Sequence, residues 1–189
     1  MRAGALSAPT RTPLPAGEAP PSWSHVGLTW VAFVATTLAV AGATALIAPG
    51  WLDGPTRELP DQAVLILDIF VNNLLLAALP LVGGWLAASH RRAGRPVLGA
   101  LFVLVPALVV ARSLFTIGAV GGADPAWLLD ASRWWTLELM ALAAAWATGV
   151  WLARHPGLCE HHGLPAMRRA LIVVVAALAT GSAVEVLTA

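Results

Sequence analysis

Uninterrupted apolar blocks of about 18 residues or more recur along the chain, each long enough to cross roughly 30 Å of hydrocarbon. A water-soluble globule of 189 residues could not hide so much contiguous apolar side chain. Charged residues make up 11% of the chain, against about 25% in ordinary soluble domains. The pattern therefore predicts an all-α integral membrane bundle with five transmembrane helices. A net charge of +1 supplies no basic field for phosphates, which argues against nucleic acid as a partner and leaves the lipid bilayer as the first one. A lone cysteine, Cys159, rules out a disulfide framework.

The spans are expected over about residues 27–48, 63–89, 96–120, 134–153 and 170–186, within a membrane domain of residues 27–189. Before them, residues 1–26 carry Pro9, Pro13, Pro15, Pro20 and Pro21 among small residues. That composition lacks the apolar surface to offset chain entropy and reads as a disordered tail. The first block is too long and starts too late for a cleavable signal, so it reads as a retained helix. Pro80 with Gly83-Gly84 predicts a bend in the second span. Residues 126–133 read as a short interfacial piece, and Trp127, Trp134, Trp135 and Trp151 as interfacial anchors.

Arginines set the expected orientation. With five spans, Arg2, Arg11, Arg91, Arg92, Arg95, Arg154, Arg168 and Arg169 fall on one side, and only Arg57 and Arg133 on the other. By the positive-inside rule the N-terminus is cytoplasmic and the C-terminus external.

Six polar groups sit where lipid should exclude them: Asp68, Asn72, Asn73, Arg112, Glu138 and Glu185. A charge at that depth costs roughly 2.5–3.5 kcal/mol on insertion scales, so such groups turn inward and pair, or line a wet cavity. Asp68 and Asn72 are one helical turn apart on the same face, with Asn73 beside them. By depth, Arg112 can meet Asp68 or Glu138. Together Asp68, Asn72, Asn73, Arg112 and Glu138 form the expected partner- or substrate-binding cluster; the competing reading is plain glue between helices, worth about 0.6 kcal/mol per hydrogen bond. Glu185, near a span end, is expected to reach the headgroups.

No catalytic residue emerges. Ser113, Ser132 and Ser182 lack a G-x-S-x-G setting, and neither an H-E-x-x-H nor a phosphate-binding loop occurs. His155, Cys159, Glu160, His161 and His162 match no closed tetrahedral zinc spacing, so neither metal nor cofactor is expected. Small-residue strips, Ala141–Ala145 with Gly149 among them, suit close helix approach within the chain or between copies.

Two segments carry a resemblance. One reads Phe70-Val71-Asn72-Asn73 followed by Gly83-Gly84; the other reads Leu137-Glu138-Leu139, then alanines, then Gly149. Over residues 64–153 the chain resembles the stage II sporulation protein M family of bacterial polytopic membrane proteins. That family has an asparagine-bearing helix, then a helix of the form H-G-x-x-E followed by small residues and glycine. Where the family has His-Gly, this chain has Trp134-Trp135. The resemblance implies a multi-pass protein of the bacterial plasma membrane in which Asn72 or Asn73 and Glu138 are the shared polar positions. It further implies a non-enzymatic scaffold or accessory subunit with protein partners or a homo-oligomeric state. The alternative is a transport component for a lipid, peptide or small solute, working with a separate ATPase.

Overall fold

The computed structural model of the chain describes residues 19–47 and 62–188, with side chains for 19–47, 67 and 69–187. The expectations for the Pro-rich tail up to residue 18, for Arg57 and for the side chain of Asp68 lie outside the described residues. Six α-helices run in order: α1 (Trp23–Ile47), α2 (Gln62–Arg92), α3 (Pro96–Ala123), α4 (Pro125–Asp130), α5 (Ser132–Arg154) and α6 (Leu164–Thr188). Among the described residues there is no strand, and five helices are long and apolar enough to cross a membrane. This is the pattern of a multi-pass membrane protein.

The long helices outrun the expected spans at several ends. α1 begins at Trp23, inside the stretch expected to be disordered, and Ser22 precedes it with a carbonyl that accepts from the Val26 amide at 3.2 Å. α6 begins at Leu164, six residues before the expected start, and a short 3-10 turn (Pro156–Leu158) and a π turn (Cys159–Gly163) lead into it. α2 runs without interruption through Pro80, and α3 through Pro106.

The turns are chemically specified. Gly94, with φ of 71°, ends α2: the Arg95 amide donates to His90 carbonyl at 2.9 Å and the Gly94 amide to Arg91 carbonyl at 3.1 Å. That pair of bonds satisfies the last carbonyls of the helix and needs the left-handed residue between them. Pro96 then opens α3. At the other end, Pro125 opens α4 while the Asp124 carboxylate accepts from the Trp127 amide at 3.0 Å.

Neighbour relations follow from where glycines meet their partners. A methyl group at Gly118 would strike Thr37 and Val40, and one at Gly122 would strike Ala41 and Thr44, so α1 and α3 run parallel. Gly83 lies against Phe102 and Pro106, and Gly99 against Ala87 and Arg91, so α2 and α3 are antiparallel. α2 and α5 are parallel, Gly84 lying against Gly149 while Arg91 Nη1 donates to the Ala153 carbonyl at 2.8 Å. α5, whose buried face is built from Ala141, Ala143, Ala144, Ala145, Thr148 and Gly149, is the central stave, with α1, α2 and α6 around it.

The alternation gives the bundle two unlike ends. Arg91, Arg92, Arg95, Arg154, Arg168 and Arg169 gather where α2 and α5 end and α3 and α6 begin. At the opposite end lie α4 and, among the described arginines, only Arg133.

Candidate functional site

α3 leans across the bundle. At its arginine-rich half it lies on α2 through Gly83 and Gly99; at its other half it lies on α1 through Gly118 and Gly122. α2 and α3 therefore diverge toward the α4 end, and the wedge between them is a cavity of about 390 Å³ backed by α5 and by Leu178 of α6. Its polar lining is Asn72 and Asn73 from α2, Arg112, Ser113 and Thr116 from α3, and Glu138 from α5. Four of the five residues expected to cluster thus share one cavity; Asp68 lies one turn away on α2, and its side chain is outside the described residues.

Each side chain reaches the cavity by simple helix arithmetic. Arg112 and Thr116 are four residues apart and share a face of α3, with Ser113 adjacent; the Ser113 hydroxyl donates back to the Val109 carbonyl at 3.0 Å. Asn73 is half-buried, and its Nδ2 donates to Oε1 of Glu138. Both form the back wall. Asn72 and Arg112 are exposed and flank the mouth, which opens sideways between α2 and α3. Arg112 lies eleven residues from the end of α3, about 16 Å along the axis at 1.5 Å per residue. That is far inside a hydrocarbon layer of about 30 Å.

Of the two carboxylates expected to meet Arg112, Glu138 is paired elsewhere, while the Asp68 side chain lies outside the described residues. Among the described residues Arg112 makes no ion pair, and the Glu138 carboxyl is taken by Asn73 instead. The reason is the lean of α3, which carries Arg112 to the outer side of the wedge while α2 and α5 stay in close register. That register comes from backbone contact: a Cβ at Gly84 would fall on the Gly149 main chain, and one at Gly149 on the Pro80 carbonyl. The same contact, with Gly83 against Phe102 and Pro106, closes the wedge on its arginine-rich side.

Glu185 lies near the end of α6 and is half-buried. Gly181, one turn before it, brings α6 against Leu137, Trp134 and Glu138. Glu185 follows on the same helix, and among the described residues one of its oxygens is buried without a hydrogen-bond partner. The signal was present in the sequence as Gly181 four residues before a carboxylate. Ser113 and Thr116 were likewise legible as neighbours of Arg112 on one face.

The tryptophans divide between core and rim. Trp135 is 3% exposed and donates its indole N–H to the Leu128 carbonyl at 3.1 Å, tying α4 to α5; Trp151 is 6% exposed and stacks on His155. Trp127 and Trp134 meet edge to face at 5.7 Å. In the connection before α6, Cys159 is buried, and Glu160 is turned outward to Arg92 at 2.6 Å. Among the described residues no three His, Cys, Asp or Glu side chains converge as a metal would require.

No family model, curated protein or solved structure matches the chain.

Proposed function

We propose that this chain is a membrane scaffold or accessory subunit without catalysis of its own, and that the wedge between α2 and α3 docks the transmembrane helix of a partner. The observation that carries this reading is Arg112: a guanidinium exposed at the mouth of a lateral cavity, deep in an apolar helix, with no ion pair among the described residues. A charge so placed is stabilised by a carboxylate arriving from a neighbouring helix, and Asn72 beside it offers directional hydrogen bonds. Polar groups supply the specificity that apolar contact cannot, because lipid tails are as apolar as leucine. A cavity of about 390 Å³ admits a few side chains from such a helix rather than the helix itself.

A transport component is the second reading, favoured by the cavity's volume. Against it, the Pro80, Gly83, Gly84 and Gly149 contacts leave the wedge closed toward the arginine-rich end, so it is a niche and not a path. Within the same proposal, the arginine-rich end faces the cytoplasm of a bacterial plasma membrane, the N-terminus is inside and the C-terminus outside. Kinship with the stage II sporulation protein M family would make Asn72 or Asn73 and Glu138 the shared polar positions.

The test is photo-cross-linking in the native membrane, with a photoreactive residue replacing Thr116 at the wedge or Leu104 on another exposed part of α3. The expected result is a discrete protein adduct from position 116, absent from 104, lost in Arg112→Glu and kept in Arg112→Lys. Lipid adducts alone at position 116, or the same adducts at both positions, would overturn the reading.

A further inference from the structure

A second groove lies at the arginine-rich end, on a different face from the wedge. α1 and α6 each pack on α5 far more than on one another, which leaves a slot of about 360 Å³ between them. Ala144 and Thr148 of α5 form its floor, Val26 and Val173 its walls, Trp23 and Arg169 stand at its mouth, and the segment Ala19–Ser22 before α1 runs along its edge. Along α6 the slot's lining runs from Ala166 to Val173, seven residues, about 10 Å of helix. One leaflet of hydrocarbon is half of about 30 Å, so the slot reaches part of the way into a leaflet from the arginine-rich end. Its floor is smooth because the α5 residues there are small. Arg169 is exposed and outside the Arg92–Glu160 ion pair, as is Arg168 beside it. Trp23 is 72% exposed, placed where an indole sits at a headgroup layer.

A slot with a small-residue floor, the Arg169 guanidinium without an ion pair among the described residues and an indole at its wet end suits an anionic headgroup with the start of one acyl chain below it. We infer that this groove binds one anionic phospholipid, its phosphodiester against Arg169 and one acyl chain lying over Ala144 and Thr148. Basic residues at the headgroup level each contribute enough to favour an anionic over a zwitterionic lipid by about fivefold. The site is independent of the wedge, and its failure would leave the docking reading intact.

The experiment is native mass spectrometry of the full chain in mild detergent, titrated with phosphatidylglycerol or phosphatidylcholine. One phosphatidylglycerol should be retained in preference to phosphatidylcholine. Arg169→Gln should weaken its retention by about fivefold, Arg169→Lys should keep it, and Val173→Trp should abolish it by filling the slot. Should Val173→Trp fail to fold, the Gln and Lys variants at 169 still decide. Equal retention of both lipids, retention unchanged in Arg169→Gln, or no retained phosphatidylglycerol would each overturn the inference; the last would assign the slot to a segment of the chain itself.

Discussion

Gly149→Ala tests the contact on which the wedge depends. The added Cβ falls on the Pro80 carbonyl oxygen, a backbone atom that cannot rotate away as a side chain would. Overpacking costs typically 1–3 kcal/mol, and contact with main chain belongs near the top of that range, at about 3 kcal/mol. Alanine is a better helix former than glycine by about 1 kcal/mol, which offsets part of the loss. The net expectation is destabilisation by about 2 kcal/mol, a roughly 30-fold shift in the folding equilibrium. Gly42→Ala is the matched control, because nothing lies within 4 Å of a Cβ there; it should be neutral or stabilising by up to about 1 kcal/mol. The assay is unfolding of detergent-solubilised protein by titration with a denaturing detergent, followed by helical circular dichroism. If Gly149→Ala proves as stable as Gly42→Ala, α2 and α5 do not meet backbone to backbone and the wedge has no such closure.

Asn73→Ala should cost about 0.6–1.7 kcal/mol in the same titration, the range for interhelical hydrogen bonds in membranes; no loss would mean that the bond to Glu138 is immaterial. Breaking the Arg92–Glu160 pair, whose side chains are 32% and 67% exposed, with Glu160→Gln should cost less than about 1 kcal/mol and vanish at high salt, as read by unfolding in low and high salt. Trp135→Phe removes the indole donor to Leu128, so amide hydrogen exchange over residues 125–130 should accelerate while α2 is unaffected; unchanged exchange would show that the bond does not hold α4. Cys159 is fully buried, so maleimide labelling should be slow in folded protein and complete after denaturation; fast labelling of the folded protein contradicts that burial.

The five long helices were legible because apolar length is a one-dimensional property, and the short α4 because Asp124, Pro125 and the tryptophans mark it. Their ends were less so: α6 begins at Leu164, amid charges and histidines that hydropathy alone assigns to a loop. Which faces pair was harder still. α1 and α3 have no continuous apolar stripe set against a polar one, and the few polar residues of α3 (Arg112, Ser113, Thr116) mark the cavity and not the helix interface. That information sits in the glycines, whose partners in space are visible only after folding. The membership of the polar cluster could be read from depth and spacing, but its pairing could not. Depth places Arg112 level with Glu138; the lean of α3, fixed by Gly83 and Gly99 on one side and Gly118 and Gly122 on the other, separates them.

The distance between Arg112 and the Gly83–Phe102 contact makes the wedge sensitive to the angle of α3. Arg112 lies ten residues beyond Phe102 on α3, about 15 Å of rigid rod at 1.5 Å per residue. A swing of about 10° at that contact would sweep the main chain at Arg112 through roughly 2.6 Å by that rise, close to the reach of a hydrogen bond. The landing of α3 on α1 at Gly118 and Gly122 therefore fixes the width of an opening that α1 itself does not line.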